Sequence, residues 1–498
     1  MIKYIKISAL CLALFSFSGC ESWLDVRPES ELNEKQMFKS EQGFMDALYG
    51  VYVNLGKSDL YGGNLSTVLD MTAQNLTYID PDACPFAQYQ SFEYEHPKCA
   101  GVTDALWMRL YYCIGLTDNL LKHLDESDAV AKCLNYNYLR GEALALRAFL
   151  HFELVRIFAP DVKKDPDYIS IPYRKNFSAD LDPQLKVSEV YARILEDLEE
   201  AKILLAEDVI RTNAPEWLGP EQKKEETDNV TDKNDSYYVT DFLKYRKYRM
   251  NYYAVLGVLA RVHLNLGTAE DLNKAHEYAM EVINSNKFRF VQKEYVIVED
   301  SKTRDILFTD EFIFGLYSTK IDVFYKNYFD ESYGPSKMYA NNVRSIYEKK
   351  SSDFRMMYWF KNVWGSYYLL KHSSELSYSK EKIRLITLPE MYYIAAETSP
   401  TEAYELLNSV ADARDISCKL TKNSTREEVL FEVLKEYRKE YFGDGLFFYA
   451  YKRLIGETAV INQLGLEIPD EPKVMVFPLP LDEIKYGNRT SAIWQTEK

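Results

Sequence analysis

The chain lacks the residue groupings that common enzyme chemistries require. Its 498 residues include only six histidines, with no His-Glu-x-x-His pair, and contain no Gly-x-Ser-x-Gly elbow, Gly-x-Gly-x-x-Gly turn or phosphate-binding loop. Basic charge is also short. Sixty Lys and Arg against 76 Asp and Glu leave a net charge of −16, so the phosphates of nucleic acid would be repelled. An acidic surface serves mainly solubility and names no partner. After residue 20 no run approaches the roughly 18 apolar residues of a spanning helix. No Pro/Gly/Ser-rich linker divides the chain, so residues 20–498 read as one domain.

Cysteine is sparse. Setting aside Cys11 and Cys20 leaves Cys84, Cys99, Cys113, Cys133 and Cys418, an odd number that precludes a fully paired framework. Cys84 and Cys99 flank a loop-like segment and can form a disulfide, whereas Cys113 and Cys133 sit on apolar helical faces and read as buried thiols. Metal ligands are weak too. Asp228, Asp232 and Asp235 with Asn234 offer oxygen ligands for structural calcium, but without a glycine turn or a terminal bidentate Glu a solvated acidic loop is the plainer reading. No cofactor is expected. Glu436 and Glu440 lie one helical turn apart, and neighbours on one helix cannot straddle a sugar ring as glycoside hydrolysis requires.

What is present begins at the N-terminus. Lys3 and Lys6, the apolar run Ile7–Phe17 and then Phe17-Ser18-Gly19-Cys20 read as a lipoprotein signal peptide (residues 1–19) ending in a lipobox. Cleavage makes Cys20 the lipidated first residue, anchored to a membrane without spanning it. The alternative is an ordinary signal peptide with an incidental cysteine.

Helical periodicity dominates the rest. Leu139, Ala143, Leu146, Leu150, Leu154 and Ile157 recur at spacings of three and four, with Arg140, Glu142, Arg147, Glu153 and Arg156 elsewhere on the wheel, which predicts an amphipathic helix packed on one side up to Pro160. Val255 to Leu266 repeats the pattern up to Gly267. Thr268 and Asp271 then look like a capping box opening a second helix, with Ala254, Gly257 and Ala260 allowing close approach. Helix, turn, helix with small contact residues is the physics of a tetratricopeptide unit. A further pair is expected from Pro389 to Val410. The predicted fold is mainly α: a tetratricopeptide-like helical scaffold with long irregular loops and a few short strands. The loops are residues 56–101, rich in Gly, Pro, Tyr and Phe, and residues 205–241, charged and polar around Trp217.

Several segments, in unchanged order from residue 20 to 484, resemble the SusD/RagB-like outer-membrane lipoprotein family. Cys20 followed by Trp23-Leu24-Asp25-Val26-Arg27-Pro28 is similar to its mature start. Trp107-Met108-Arg109-Leu110-Tyr111 with Asn119-Leu120, and Glu142-Ala143-Leu144-Ala145-Leu146-Arg147-Ala148, resemble two of its helices. Glu436-Tyr437-Arg438-Lys439-Glu440, Gly443-Asp444-Gly445, Lys452-Arg453 and the closing segment Phe477-Pro478-Leu479-Pro480, read as a strand, are similar to its C-terminal signature. Phe447 and Ala450 stand where that signature has a basic and an acidic residue, as in a divergent member.

The resemblance implies a non-catalytic lipoprotein at the outer-membrane cell surface that binds an oligosaccharide and delivers it to a TonB-dependent transporter of the SusC type. The alternatives are a peptide-binding relative, a protein-binding tetratricopeptide adaptor, and a lipoprotein glycosidase with opposed carboxylates. Forty tyrosines are compatible with sugar recognition, because the C–H face of a pyranose stacks on a flat ring. On the family's geometry the expected ligand contacts are Tyr78, Asp80, Tyr89 and Tyr94 from the first loop, then Trp217 and Tyr325.

Overall fold

In the computed structural model, the structure describes residues 34, 36–212, 241–332, 334–376, 378, 381–455, 464–469 and 471–494. The elements that position the site are α1 (Glu41–Leu55), α2 (Asn64–Thr72), β1 (Leu76–Tyr78), α3 (Pro97–Glu126), α4 (Tyr136–Phe158), β2 (Ile169–Pro172), β3 (Gln184–Lys186), α5 (Val187–Leu204), α6 (Tyr252–Leu266) and α7 (Ala269–Asn284). They are followed by β4 (Phe312–Tyr317), α8 (Ile321–Tyr328), β5 (Met338–Ala340), β6 (Phe360–Val363), β7 (Ser366–Leu369), β8 (Lys382–Thr387), α9 (Leu388–Thr398), α10 (Ala403–Ala413), α11 (Arg426–Glu440) and α12 (Leu446–Leu454).

The scaffold is a stack of helix pairs. α4 packs on α5, α6 on α7 and α9 on α10, while α5 meets α6 and α7 meets α9, so each pair buries the face its neighbour cannot. The mainly α, tetratricopeptide-like architecture is therefore as expected.

Local chemistry explains the boundaries. Asn251 caps α6 by accepting the Ala254 N–H at 3.0 Å, and Gly267, at φ +71°, ends it in the left-handed conformation glycine tolerates. The Thr268 hydroxyl accepts the Asp271 N–H at 3.1 Å and opens α7. Gly257 serves a different neighbour from the one expected: a Cβ there would sit 3.0 Å from Ile386 of β8, so the close approach is to a strand rather than to α7.

Helix α4 also departs from expectation. It is not amphipathic, since every residue from Gly141 to Phe158 is buried. Its polar residues are paired rather than solvated. Glu142 accepts from the Tyr52 hydroxyl at 2.6 Å and from Arg249 at 2.6 and 3.0 Å, and Arg147 clamps Asp197 at 2.7 and 2.9 Å. A period of 3.6 in the apolar residues could not show that the intervening charges had buried partners on other elements.

The first irregular stretch, residues 56–101, is largely ordered secondary structure. It contains α2, β1, a helical turn at Ala87–Gln90 and the start of α3, where Pro97 occupies the first turn that tolerates it. Gly63 reflects close packing, as a Cβ would lie 2.6 Å from the Phe324 ring. The second stretch contributes a short helix at Val209–Thr212, and residues 213–240 lie outside the described residues. Phe477-Pro478-Leu479-Pro480 is extended but joins no sheet; the Phe477 N–H donates to the Ile157 carbonyl at 3.0 Å and fastens the segment to the end of α4.

The strands form one four-stranded antiparallel sheet in the order β1-β5-β7-β6 and two two-stranded ribbons, β2-β3 and β4-β8. In the larger sheet Leu76, Met338, Ala340, Phe360 and Leu369 are buried on the inner face. By alternation, Thr77, Tyr339, Tyr368 and Lys361 occupy the outer one.

Candidate functional site

The residues expected to touch ligand have separate fates. Tyr89 and Tyr94 are core residues, 0% and 1% exposed. The Tyr89 hydroxyl donates to the Cys99 carbonyl at 3.1 Å and lies 2.7 Å from that of Thr103, while Tyr94 donates to the Val474 carbonyl at 2.5 Å. Both rings pack on Phe477, with centroids 5.4 and 4.8 Å away. Neither has a face open to a sugar, so the platform role expected of them is corrected to a structural one. Tyr78 is half-buried on the inner face of the sheet, and Asp80 shapes a turn by accepting the Asp82 N–H at 2.9 Å. Cys84 and Cys99 are buried free thiols, not a disulfide; burial pushes them up to about 11 and 12. Cys20, Trp217, Asp228, Asp232, Asn234 and Asp235 lie outside the described residues.

Tyr325 is the expected contact that reaches a cavity. It projects from α8, 4% exposed, beside Phe324 and stacked on Phe329 at 5.9 Å. Tyr61, Gly62 and Gly63 from the turn that opens α2 and Ser66 within that helix also line the cavity; Leu76 and Leu369 of the sheet contribute further wall, and buried Arg384 of β8 with Asp444 forms the floor. The enclosed space is about 40 Å³, enough for a few waters or one protruding polar group but not a whole sugar ring. A larger ligand would sit at the mouth, where Tyr61, Ser66 and His372 are half-buried.

Three polar groups here lack a protein partner. Among the described residues the Tyr61 hydroxyl, the Tyr325 hydroxyl and Nδ1 of His372 have no hydrogen-bond partner although each atom is covered. Covered polar atoms normally find partners, in protein or in water, because leaving one unmade costs about 1–3 kcal/mol. All three are neutral at physiological pH: burial, helped by the cations Lys371 and Arg384, pushes the His372 imidazole down to about 3, and burial holds both tyrosine hydroxyls well above their usual range. Neutral donors and acceptors beside aromatic walls suit a neutral polyhydroxylated ligand.

Charge is confined to the floor. Lys371 donates to Asp444 at 2.9 Å and to the Phe442 carbonyl at 2.6 Å, and Arg384 pairs with the same Asp444. Burial, then the neighbouring Arg384, lowers Lys371 to about 7. Glu440 behind this floor contacts Arg355, Arg384 and Arg414, and Glu436 pairs with Lys439 and Arg355. Burial alone would raise both glutamates, but the cations outweigh it; Glu436 falls to about 2 and Glu440 lies further below the carboxylate range. Neither can supply the proton a glycosidic leaving group needs. The described residues contain no group of three or more His, Cys, Asp or Glu arranged to hold a metal ion.

Tyr61, an aromatic of the first loop, and His372 both line this crevice but are not among the ligand contacts expected from the sequence. Gly62-Gly63 after Tyr61 is the local mark of a close approach, but its partner on α8 is some 260 residues away by chain number. Trp364 was also missed, although Trp364-Gly365 between two alternating runs has the form of a hairpin turn.

The fold is that of the SusD superfamily. It superposes on a SusD superfamily protein from Bacteroides vulgatus with a TM-score of 0.67, at 20% identity over 91% of this chain and 98% of that one. A SusD superfamily protein from Bacteroides thetaiotaomicron gives 0.65, at 19% identity over 90% and 98%. Surface glycan-binding protein A from Bacteroides fluxus gives 0.63, at 16% identity over 91% and 98%. In sequence, residues 22–216 match the family SusD-like_3, described as starch-binding and associating with the outer membrane. The chain thus has the SusD superfamily fold over most of its length, and residues 22–216 match the SusD-like_3 family in sequence. No curated protein matches it. No helix among the described residues is long and apolar enough to cross a membrane.

Proposed function

We propose that this chain is a non-catalytic cell-surface lipoprotein, anchored through Cys20, that binds an oligosaccharide at the Tyr325 crevice and delivers it to a TonB-dependent outer-membrane transporter. The observation that carries the sugar reading is that Tyr61, Tyr325 and His372, neutral and with covered polar atoms that no protein group pairs, line one crevice together with Phe324 and Phe329. A sugar offers what these groups lack: hydroxyls that both donate and accept, on a ring whose C–H face packs against aromatic carbon. The family's description as starch-binding and associated with the outer membrane supports the same cargo class and location.

Titration calorimetry against a panel of oligosaccharides, with product analysis for turnover, tests the cargo. Tyr325→Phe removes one hydroxyl from the crevice and is expected to weaken binding several-fold with little change in melting temperature, since no protein group pairs with that hydroxyl. Binding of peptides and of no glycan would overturn the sugar assignment; release of shortened sugars would overturn the non-catalytic reading. For the anchor, Cys20→Ala should abolish palmitate labelling, and labelling that persists rejects Cys20 as the acylated residue.

A further inference from the structure

Trp364 stands wholly in solvent, 101% exposed, whereas Trp107 and Trp359 are 2% and 0% exposed. It heads the two-residue turn between β6 and β7, where Val363 pairs with Ser366. Trp364 and Gly365 have φ of +54° and +93°. Positive φ at both central positions defines the tight hairpin turn that favours Asn-Gly, because a bulky side chain in the left-handed region crowds its own backbone. The Asn362 side chain accepts the Gly365 N–H at 3.0 Å and pins the turn. Below it the hairpin is fixed by Phe360 and Leu369 on the inner face and by the Tyr339–Tyr368 ring contact at 6.2 Å on the outer one. A large ring thus stands on a pinned turn where local conformation disfavours it and burial gives it nothing. Such a break with local rules points to function.

We propose that Trp364 is a stacking platform for a glycan chain that extends beyond the crevice. The inference rests on the sugar reading above and adds a second contact to it. Its surroundings distinguish a sugar from a protein or membrane partner. Those partners need a contiguous apolar patch, whereas here the one apolar neighbour, Val363, is half-buried, the flanking Lys361, Asn362 and Ser366 are polar, and Lys361 pairs with Glu331. One bare ring among hydroxyl, amide and charged groups matches a pyranose, which needs an apolar face for its C–H bonds and polar neighbours for its hydroxyls. Length follows from geometry. Leu369 lines the crevice, and the three residue steps from Leu369 back to Ser366 place the turn roughly 10 Å away along the strand at about 3.4 Å per residue. A ligand that engages both places must therefore be an oligomer.

The test uses the full mature chain and one oligosaccharide series of increasing length, read by calorimetry and tryptophan fluorescence. Wild type should bind longer members more tightly and show a blue-shifted, less quenchable emission with them. Trp364→Ala should bind the shortest members like wild type and lose several-fold on the longer ones, with Trp364→Phe in between. Trp364→Asn suits the turn better, so it should lose the same affinity with an unchanged or higher melting temperature, which separates recognition from stability. Equal affinity of wild type and Trp364→Ala at every length overturns this inference and leaves the crevice reading standing. Crevice binding with no gain on lengthening does the same. No glycan binding at any length overturns both. Loss of vesicle or barrel binding by Trp364→Ala, with glycan affinity intact, would assign the ring to another class of partner.

Discussion

Replacing Glu440 should be among the most damaging single changes in the chain. Its carboxylate is fully buried and accepts four bonds from three guanidiniums: Arg355 at 3.0 Å, Arg384 at 3.1 Å and Arg414 twice at 3.0 Å. All three arginines are themselves 3% exposed or less. Each keeps another anion when Glu440 goes, Asp353 for Arg355, Asp444 for Arg384 and Glu311 for Arg414, so the loss is that of one shared partner. Removing one side of a buried ionic contact costs about 3–5 kcal/mol, and Glu440→Ala adds a void. Glu440→Gln keeps the shape but should be no mild substitute. Each oxygen receives two N–H bonds, so an amide nitrogen in either place would oppose two donors with two more.

Urea unfolding at neutral pH should therefore show Glu440→Gln destabilised by about 3 kcal/mol or more. An acid arm checks the cause. The guanidiniums hold the Glu440 carboxyl well below its ordinary 4.5. A carboxylate with a depressed value contributes stability that is present above the unfolded value and lost as pH falls toward the folded one. The gap between wild type and Glu440→Gln should consequently narrow below about pH 4. A loss under about 1 kcal/mol at neutral pH, or a gap that does not shrink in acid, would refute the charge-based account.

Leu146 is fully buried in α4, so Leu146→Ala should cost about 2–5 kcal/mol, whereas Arg140→Ala removes exposed pairs with Asp125 and Glu200 and should cost about 1 kcal/mol or less; thermal melts giving equal losses would mean the helix is misplaced. Tyr89→Ala should now lower stability by about 3–5 kcal/mol and Tyr89→Phe by about 1 kcal/mol. An unchanged melting temperature for Tyr89→Ala, with weakened glycan binding, would return that ring to the surface.

Much of the scaffold was legible because its determinants are local. The α6–α7 hairpin follows from apolar spacing, Gly267 and Thr268, all within one stretch of chain. The site was less legible because its determinants are not. Tyr61, Tyr325, His372 and Asp444 come from four separate segments, and only the fold shows that they share a crevice. Tyr89 and Tyr94 fail for a related reason. Glycine, proline and tyrosine between helices suggested a surface loop, yet the same composition can make a short, tightly packed corner, and here Phe477, distant in sequence, covers both rings. Aromatic content indicated recognition without indicating which rings the core would consume.

The buried ions explain how such a crevice stays open. Tyr61 and His372 come from turns, which alone would not hold their unpaired polar groups in place. Asp444 is bound from two sides by Lys371 and Arg384, and Arg384 reaches on to Glu440, which Arg355 and Arg414 hold in turn. That chain of contacts ties the crevice floor to α11, and α11 packs on α9 in the helical stack. Directional ionic contacts give the floor one position where an apolar floor could slide, at the expense of desolvating every member. The same cluster then serves both ends of the argument: it stabilises the C-terminal half of the scaffold, and it fixes the surface against which Tyr61, Tyr325 and His372 remain free for a ligand.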